Sequence, residues 1–101
     1  MDISAGIKRI MATGKIEYGS KKTLENIRSG KAKAVIIADN APAGLRADIE
    51  QYAKISETPV VVFDGTSLEL GRVCGKPFVV TSIAVTNAGD VKIKELTGEK
   101  K

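Results

Sequence analysis

The stretch Gly19-Ser20-Lys21-Lys22-Thr23 puts two lysines where a helix should open. The first turn of a helix is the positive end of its dipole, and an exposed cation there costs about 0.3 to 1 kcal/mol. The same turn offers amide N–H groups that have no partner inside the helix. Lysines and free amides behind a glycine suit phosphate oxygens, and Gly19 allows a second backbone to come close. Two solvated lysines tolerated at small cost are the plain alternative. Asn40 follows a run of apolar residues, at a strand end where ligands often bind in open α/β sheets. Its amide can donate and accept, as a base edge requires; equally, an asparagine there can cap a helix or make a turn. Phe78 follows Lys76-Pro77. Pro77 removes a backbone donor and stiffens the chain, and an aromatic there is either core or a stacking platform for an unpaired base.

Other chemistries find little support. Histidine is absent, with a count of 0, which removes the commonest general base and metal ligand. A lone Cys74 can form neither an intramolecular disulfide nor a zinc site, and it reads as a small buried hydrophobe. Gly71-Arg72-Val73-Cys74-Gly75-Lys76-Pro77 resembles a phosphate loop only superficially. It is one residue short and ends in proline instead of serine or threonine. Asp48 and Glu50 lie two apart on a helix and do not face each other, while Asp39 and Asp64 more simply end strands. No catalytic residues, metal site or cofactor are expected.

The elements that must position these residues follow from periodicity. Ile3, Ile7, Ile10 and Met11 mark one face of a helix, with Gly14 as its terminal glycine. Residues 15–18 alternate as a short strand, and Ser20 is placed to cap a second helix over 21–29 with Leu24 and Ile27 inward. Residues 34–38 form a continuous apolar run, as a buried central strand does. Leu45, Ile49, Tyr52 and Ala53 give a third helix to about Ser56, and residues 60–63 a second buried strand. Thr66-Ser67-Leu68-Glu69 has capping-box spacing and opens a short fourth helix ending at Gly75. A long strand is expected over 78–85, a turn over 87–90, an edge-like strand or tail over 91–96, and fraying at the end. Alternating strands and helices predict an α/β fold: a three-layer α/β/α sandwich around a small mixed four-stranded sheet.

The 101 residues, 43% hydrophobic and 28% charged, fit one ordinary globular domain spanning 1–101. The net charge of +4 is compatible with a polyanionic partner without proving one. No signal peptide or membrane span is readable, so a cytoplasmic protein is expected.

Four segments together resemble one family in order and spacing. They are Tyr18-Gly19-Ser20-Lys21-Lys22-Thr23, Ala38-Asp39-Asn40-Ala41-Pro42, Asp48-Ile49-Glu50-Gln51-Tyr52-Ala53, and Leu70-Gly71 through Cys74-Gly75-Lys76-Pro77-Phe78. The chain resembles the ribosomal protein L-thirty-e family over nearly its whole length, and its compactness looks more archaeal than eukaryotic. The resemblance implies a cytoplasmic, non-catalytic constituent of the large ribosomal subunit. It implies binding to a kink-turn or kink-turn-like internal loop of ribosomal RNA, where sheared G·A pairs bend the helix. It implies three RNA-contacting regions: Gly19 to Lys22 with Ser20 and Lys21 between; Asn40; and Gly75, Lys76, Pro77, Phe78 and Val79. Neighbouring ribosomal proteins are further expected partners, and the free protein is expected to be monomeric. Related kink-turn proteins of guide-RNA particles place an asparagine and a glutamate behind the glycine, where this chain has Ser20-Lys21-Lys22. A kink-turn protein of another ribonucleoprotein, or a protein-interaction module on the same fold, is the alternative.

Overall fold

The computed structural model describes residues 3–89. Helices and strands alternate: α1 (Ile3–Thr13), β1 (Lys15–Tyr18), α2 (Ser20–Arg28), β2 (Ala34–Ala38), α3 (Ala43–Ser56), β3 (Val60–Phe63), α4 (Ser67–Val73) and β4 (Ser82–Asn87). The sheet order is β1-β4-β2-β3. β2 and β3 pair in parallel, with Val35 opposite Val60 and Ala38 opposite Phe63. β4 runs antiparallel to both its neighbours, β1 and β2.

The apolar run of β2 is buried along its entire length, and period-two alternation splits it between two cores. Ala34, Ile36 and Ala38 pack with Ile7 and Ile10 of α1 and Leu70 of α4. Val35 and Ile37 pack with Ile27 of α2 and Ile49 of α3. Helices therefore cover both faces, giving the expected α/β/α layers. Each fully buried isoleucine contributes about 1.5 to 3 kcal/mol relative to exposure.

Several local expectations need correction. Met11 and Tyr52 lie at the margins of their helices' apolar stripes and are partly exposed. β3 is an edge strand, so Val62 also reaches solvent while Val61 and Phe63 are buried. Gly14 does not take a positive φ; its lack of a side chain serves close packing, since a Cβ there would overlap the Asn87 carbonyl. The last strand starts at Ser82, not Phe78, and continues through Asn87. Asn87 Oδ1 accepts from Gly89 N at 2.9 Å, which begins the turn. The strand or tail expected over 91–96, the end of the 87–90 turn and the fraying of the final residues lie outside the described residues.

The capping box of α4 is present in full. Thr66 Oγ1 accepts from the Glu69 amide at 3.3 Å, and the Glu69 carboxylate accepts from the Thr66 amide at 2.8 Å. At its other end, Gly75 takes φ 71°. Its amide donates to Arg72 O, and the Lys76 amide donates to Gly71 O. This paired closure turns the chain sharply back along the helix.

Candidate nucleic-acid interface

Strand direction brings the three sequence-predicted regions together. β1 and β2 both run antiparallel to β4, so the ends of β1 and β2 lie beside the start of β4. Tyr18 pairs with Ile83, and Ile37 with Ser82. Backbone bonds extend the pairing past the strands: Gly19 N donates to Ser82 O at 3.0 Å, and Ala38 N donates to Thr81 O at 2.8 Å. The glycine–lysine turn, the Asn40 turn and the loop entering β4 thus share one end of the sheet.

Gly19 is the N-cap of α2, with φ 97° and ψ 155°. A side chain rarely adopts that backbone, so glycine is required there. Ser20 was expected to cap α2; it is instead the first helical residue, and no side chain caps this end. The positive φ of Gly19 turns the chain into the helix one residue early. Lys21 and Lys22 are exposed in the first turn, which holds no acidic residue. Among the described residues no carboxylate pairs with either; the ion pairs there include Lys15–Glu17 and Arg46–Glu50. Beneath the turn, Thr23 Oγ1 donates to Gly19 O at 2.7 Å, and Ser82 Oγ donates to Thr23 Oγ1 at 3.2 Å. Both hydroxyl residues are fully buried. A threonine at the fourth helical position can bond back to the carbonyl four residues earlier, so Thr23 was findable; its partner Ser82, fifty-nine residues away, was not.

Asn40 does not cap α3, whose N-cap is Pro42. Its Oδ1 accepts from the Ser67 amide at 2.8 Å, satisfying an orphan N–H at the start of α4. This fixes the amide's orientation: the oxygen is committed inward and the NH2 group is left to donate. The two-way donor and acceptor capacity expected for Asn40 is therefore reduced to donors alone. Ser67 relays the restraint, since its carbonyl accepts from Val80 N at 3.0 Å.

The loop after α4 is held flat against it. A Cβ on Gly71 would overlap the Phe78 carbonyl oxygen, so this glycine permits the approach. With its carbonyl face against the helix, Phe78 projects outward, 55% exposed, beside Val79 at 58%. Pro77 is exposed as well. Lys76 bends back, its Nζ 4.7 Å from the centre of the Tyr18 ring, and so links this loop to the strand leading into Gly19. Cys74 is buried. Burial pushes its thiol up to about 11, partly offset by the charge of Lys76, so the thiol is not a nucleophile. Burial, and then the nearby Cys74, also raise the Tyr18 hydroxyl above its usual range. Leu68 on α4, not singled out from sequence, is 49% exposed; its place inside a capping box gave no signal for it.

The end of the sheet therefore offers unpaired cations, unpaired helix amides, a directed amide donor and outward apolar side chains. That combination fits phosphates, base edges and unstacked bases. Known proteins of similar sequence are ribosomal. The model of the ribosomal protein L7Ae/L30e/S12e/Gadd45 family matches residues 1–95. A large ribosomal subunit protein eL30 of Methanothermobacter thermautotrophicus is 48% identical over 98 residues, covering 97% of this chain and 100% of that protein. The protein of the same name from Methanosphaera stadtmanae is 45% identical over 96 residues, covering 95% of this chain and 98% of its own. That of Methanocaldococcus jannaschii is 43% identical over 100 residues, covering 99% and 91%.

Proposed function

The chain belongs to the ribosomal protein L7Ae/L30e/S12e/Gadd45 family, and from that premise we propose that it is a structural constituent of the large ribosomal subunit in the cytoplasm. It binds ribosomal RNA without catalysis, at a kink-turn or kink-turn-like internal loop, and is monomeric before assembly. Lys21 and Lys22 meet backbone phosphates, joined by Lys76 if it leaves the Tyr18 ring. Gly19 admits the RNA backbone closely. Asn40 reads a base edge. Phe78, flanked by Pro77 and Val79, packs against an unstacked base.

The observation that carries this reading is the orientation of Asn40. Its oxygen is used by Ser67, so its NH2 selects a base edge rich in acceptors, such as guanine O6 and N7. Two substitutions separate the structural bond from the reading. Asn40→Asp keeps an acceptor for the Ser67 amide and puts a negative charge at a helix N-terminus, where it is favoured, but removes the donors. It should melt at or above the wild-type temperature and lose discrimination between a kink-turn RNA and one whose G·A pairs are replaced. Asn40→Ala should lose the same discrimination together with about 1 kcal/mol of stability. Equal discrimination by Asn40→Asp and wild type would make Asn40 a structural residue only.

A further inference from the structure

We propose that the groove between α2 and the edge strand β1 seats the sugar–phosphate edge of an A-form RNA stem flanking the bent loop, and senses its 2′-hydroxyl groups. The inference rests on the RNA-binding reading above and extends it to a surface beyond the three predicted regions. The groove encloses about 480 Å³ and is open to solvent. Lys22 belongs both to its lining and to the first turn of α2, so the two surfaces are continuous. From there the groove follows α2 to its C-cap at Ser29, about 10 Å of helix at 1.5 Å per residue, and reaches Lys31 in the turn beyond.

The chemistry of its wall is selective. Lys15, Lys22 and Lys31 supply cations. Glu17 is already paired with Lys15, at 3.8 Å, which leaves Lys22 and Lys31 against Glu25. Most neutral donors of the wall are spent internally: one N–H of Asn26 Nδ2 donates to Lys22 O at 2.8 Å, Ser29 Oγ donates to Asn26 O at 3.3 Å, and Thr86 Oγ1 donates to Lys15 O at 3.4 Å. The wall therefore combines cations with acceptors, the latter being the Glu25 carboxylate, Asn26 Oδ1 and the Ser29 lone pairs, and keeps one neutral N–H at Asn26. A bare polyphosphate would meet Glu25 repulsively. The shallow edge of an RNA helix presents phosphate acceptors interleaved with 2′-hydroxyl donors, and satisfies both halves of the wall. A DNA stem would leave the acceptors unpaired.

The test uses the full chain and fluorescence anisotropy with a kink-turn RNA in three forms: unmodified, and with 2′-O-methyl groups along one stem or the other. The modification keeps A-form geometry and removes the hydroxyl donor. Wild type should lose roughly 3- to 10-fold in affinity with one of the two modified stems. Glu25→Ala should no longer distinguish that stem from the unmodified RNA. Lys31→Gln should bind roughly 3-fold more weakly and lower the slope of log affinity against log salt by about 0.7 to 0.9, the value of one phosphate contact. If neither modified stem matters and Lys31→Gln binds as wild type, while Asn40→Asp still loses discrimination, the groove is idle and the main reading stands. If wild type does not prefer the kink-turn to a straight duplex, both readings fall.

Discussion

The chain has two phenylalanines, and they sit in opposite surroundings. Phe63 ends β3 at 6% exposure, packed into the core under α1 and α4. Phe78 lies in the loop behind α4 at 55% exposure. Hydrophobicity alone would bury both. The difference comes from the backbone: Phe63 is in a ladder that points its side chain at the core, whereas the loop at Phe78 is pinned by its carbonyl face against Gly71. An apolar side chain stays outward when the backbone around it is fixed on its other side. The largest test of this contrast is alanine at each position. Phe63→Ala should cost about 3 to 5 kcal/mol of folding stability, read as a large drop in melting temperature. Phe78→Ala should melt close to wild type and lose roughly 5- to 150-fold in kink-turn RNA affinity, the value of about 1 to 3 kcal/mol for one stacked base. A stability loss at Phe78 like that at Phe63 would return it to the core.

The next test attacks the pin itself. Gly71 is buried on α4, and any side chain there must displace the Phe78 backbone. Gly71→Ala should cost about 1 to 3 kcal/mol through overpacking and also weaken RNA binding, because Phe78 and Val79 move. Alanine is a better helix former than glycine by about 1 kcal/mol, which offsets part of the loss. A variant with unchanged stability and affinity would show that the loop does not depend on this contact.

That dependence explains what could be read from sequence and what could not. β2, the inward faces of α1 to α3 and the α4 capping box are local patterns, and periodicity or spacing within a few residues exposes them. The strand expected over 78–85 starts late, at Ser82, because Val80 N bonds to Ser67 O on the helix instead of a neighbouring strand. That competition is between residues far apart in sequence. The three regions of the site were each legible as chemistry: cations at a helix start, an asparagine after a strand, an aromatic after proline. Their convergence follows from β4 running antiparallel to β1 and β2, which no local pattern states. The direction of the Asn40 amide was likewise illegible, since its partner Ser67 lies twenty-seven residues away.

Cys74 marks the boundary between the two environments, buried one residue before Gly75 opens the exposed loop. Its thiol is pushed up from 9.0 to about 11 by burial. Between those values the unfolded chain gives up the proton and the native one keeps it. Stability is therefore full below about pH 9 and falls as pH rises toward 11. At pH 10 the loss is at most about 1.4 kcal/mol. Cys74→Ala should start less stable but show a shallower decline over this window, measured by denaturant unfolding at each pH. Native protein at pH 8 should also resist iodoacetamide until denaturant is added. Rapid labelling of the native protein would place Cys74 with the exposed surface of the loop instead of the core.

The smallest expected effect is on stability at Lys21, and it sharpens the contrast between surface built for folding and surface built for a partner. Lys21 lies in the first turn of α2, at the positive end of the helix, with no carboxylate paired to it among the described residues. Lys54 lies in the last turn of α3, at the negative end. Dipole interactions are worth about 0.3 to 1 kcal/mol at exposed positions, with opposite sign at the two lysines. Lys54→Ala should therefore lower the melting temperature slightly and leave RNA binding unchanged. Lys21→Ala should raise the melting temperature slightly, and reduce the slope of log affinity against log salt by somewhat under one unit for every RNA tried. A lysine that weakens the fold and strengthens binding is placed for an anion. If Lys21→Ala moves neither slope nor stability, its charge is fully screened by solvent, and phosphate contact at this turn passes to Lys22 and the open amides of α2.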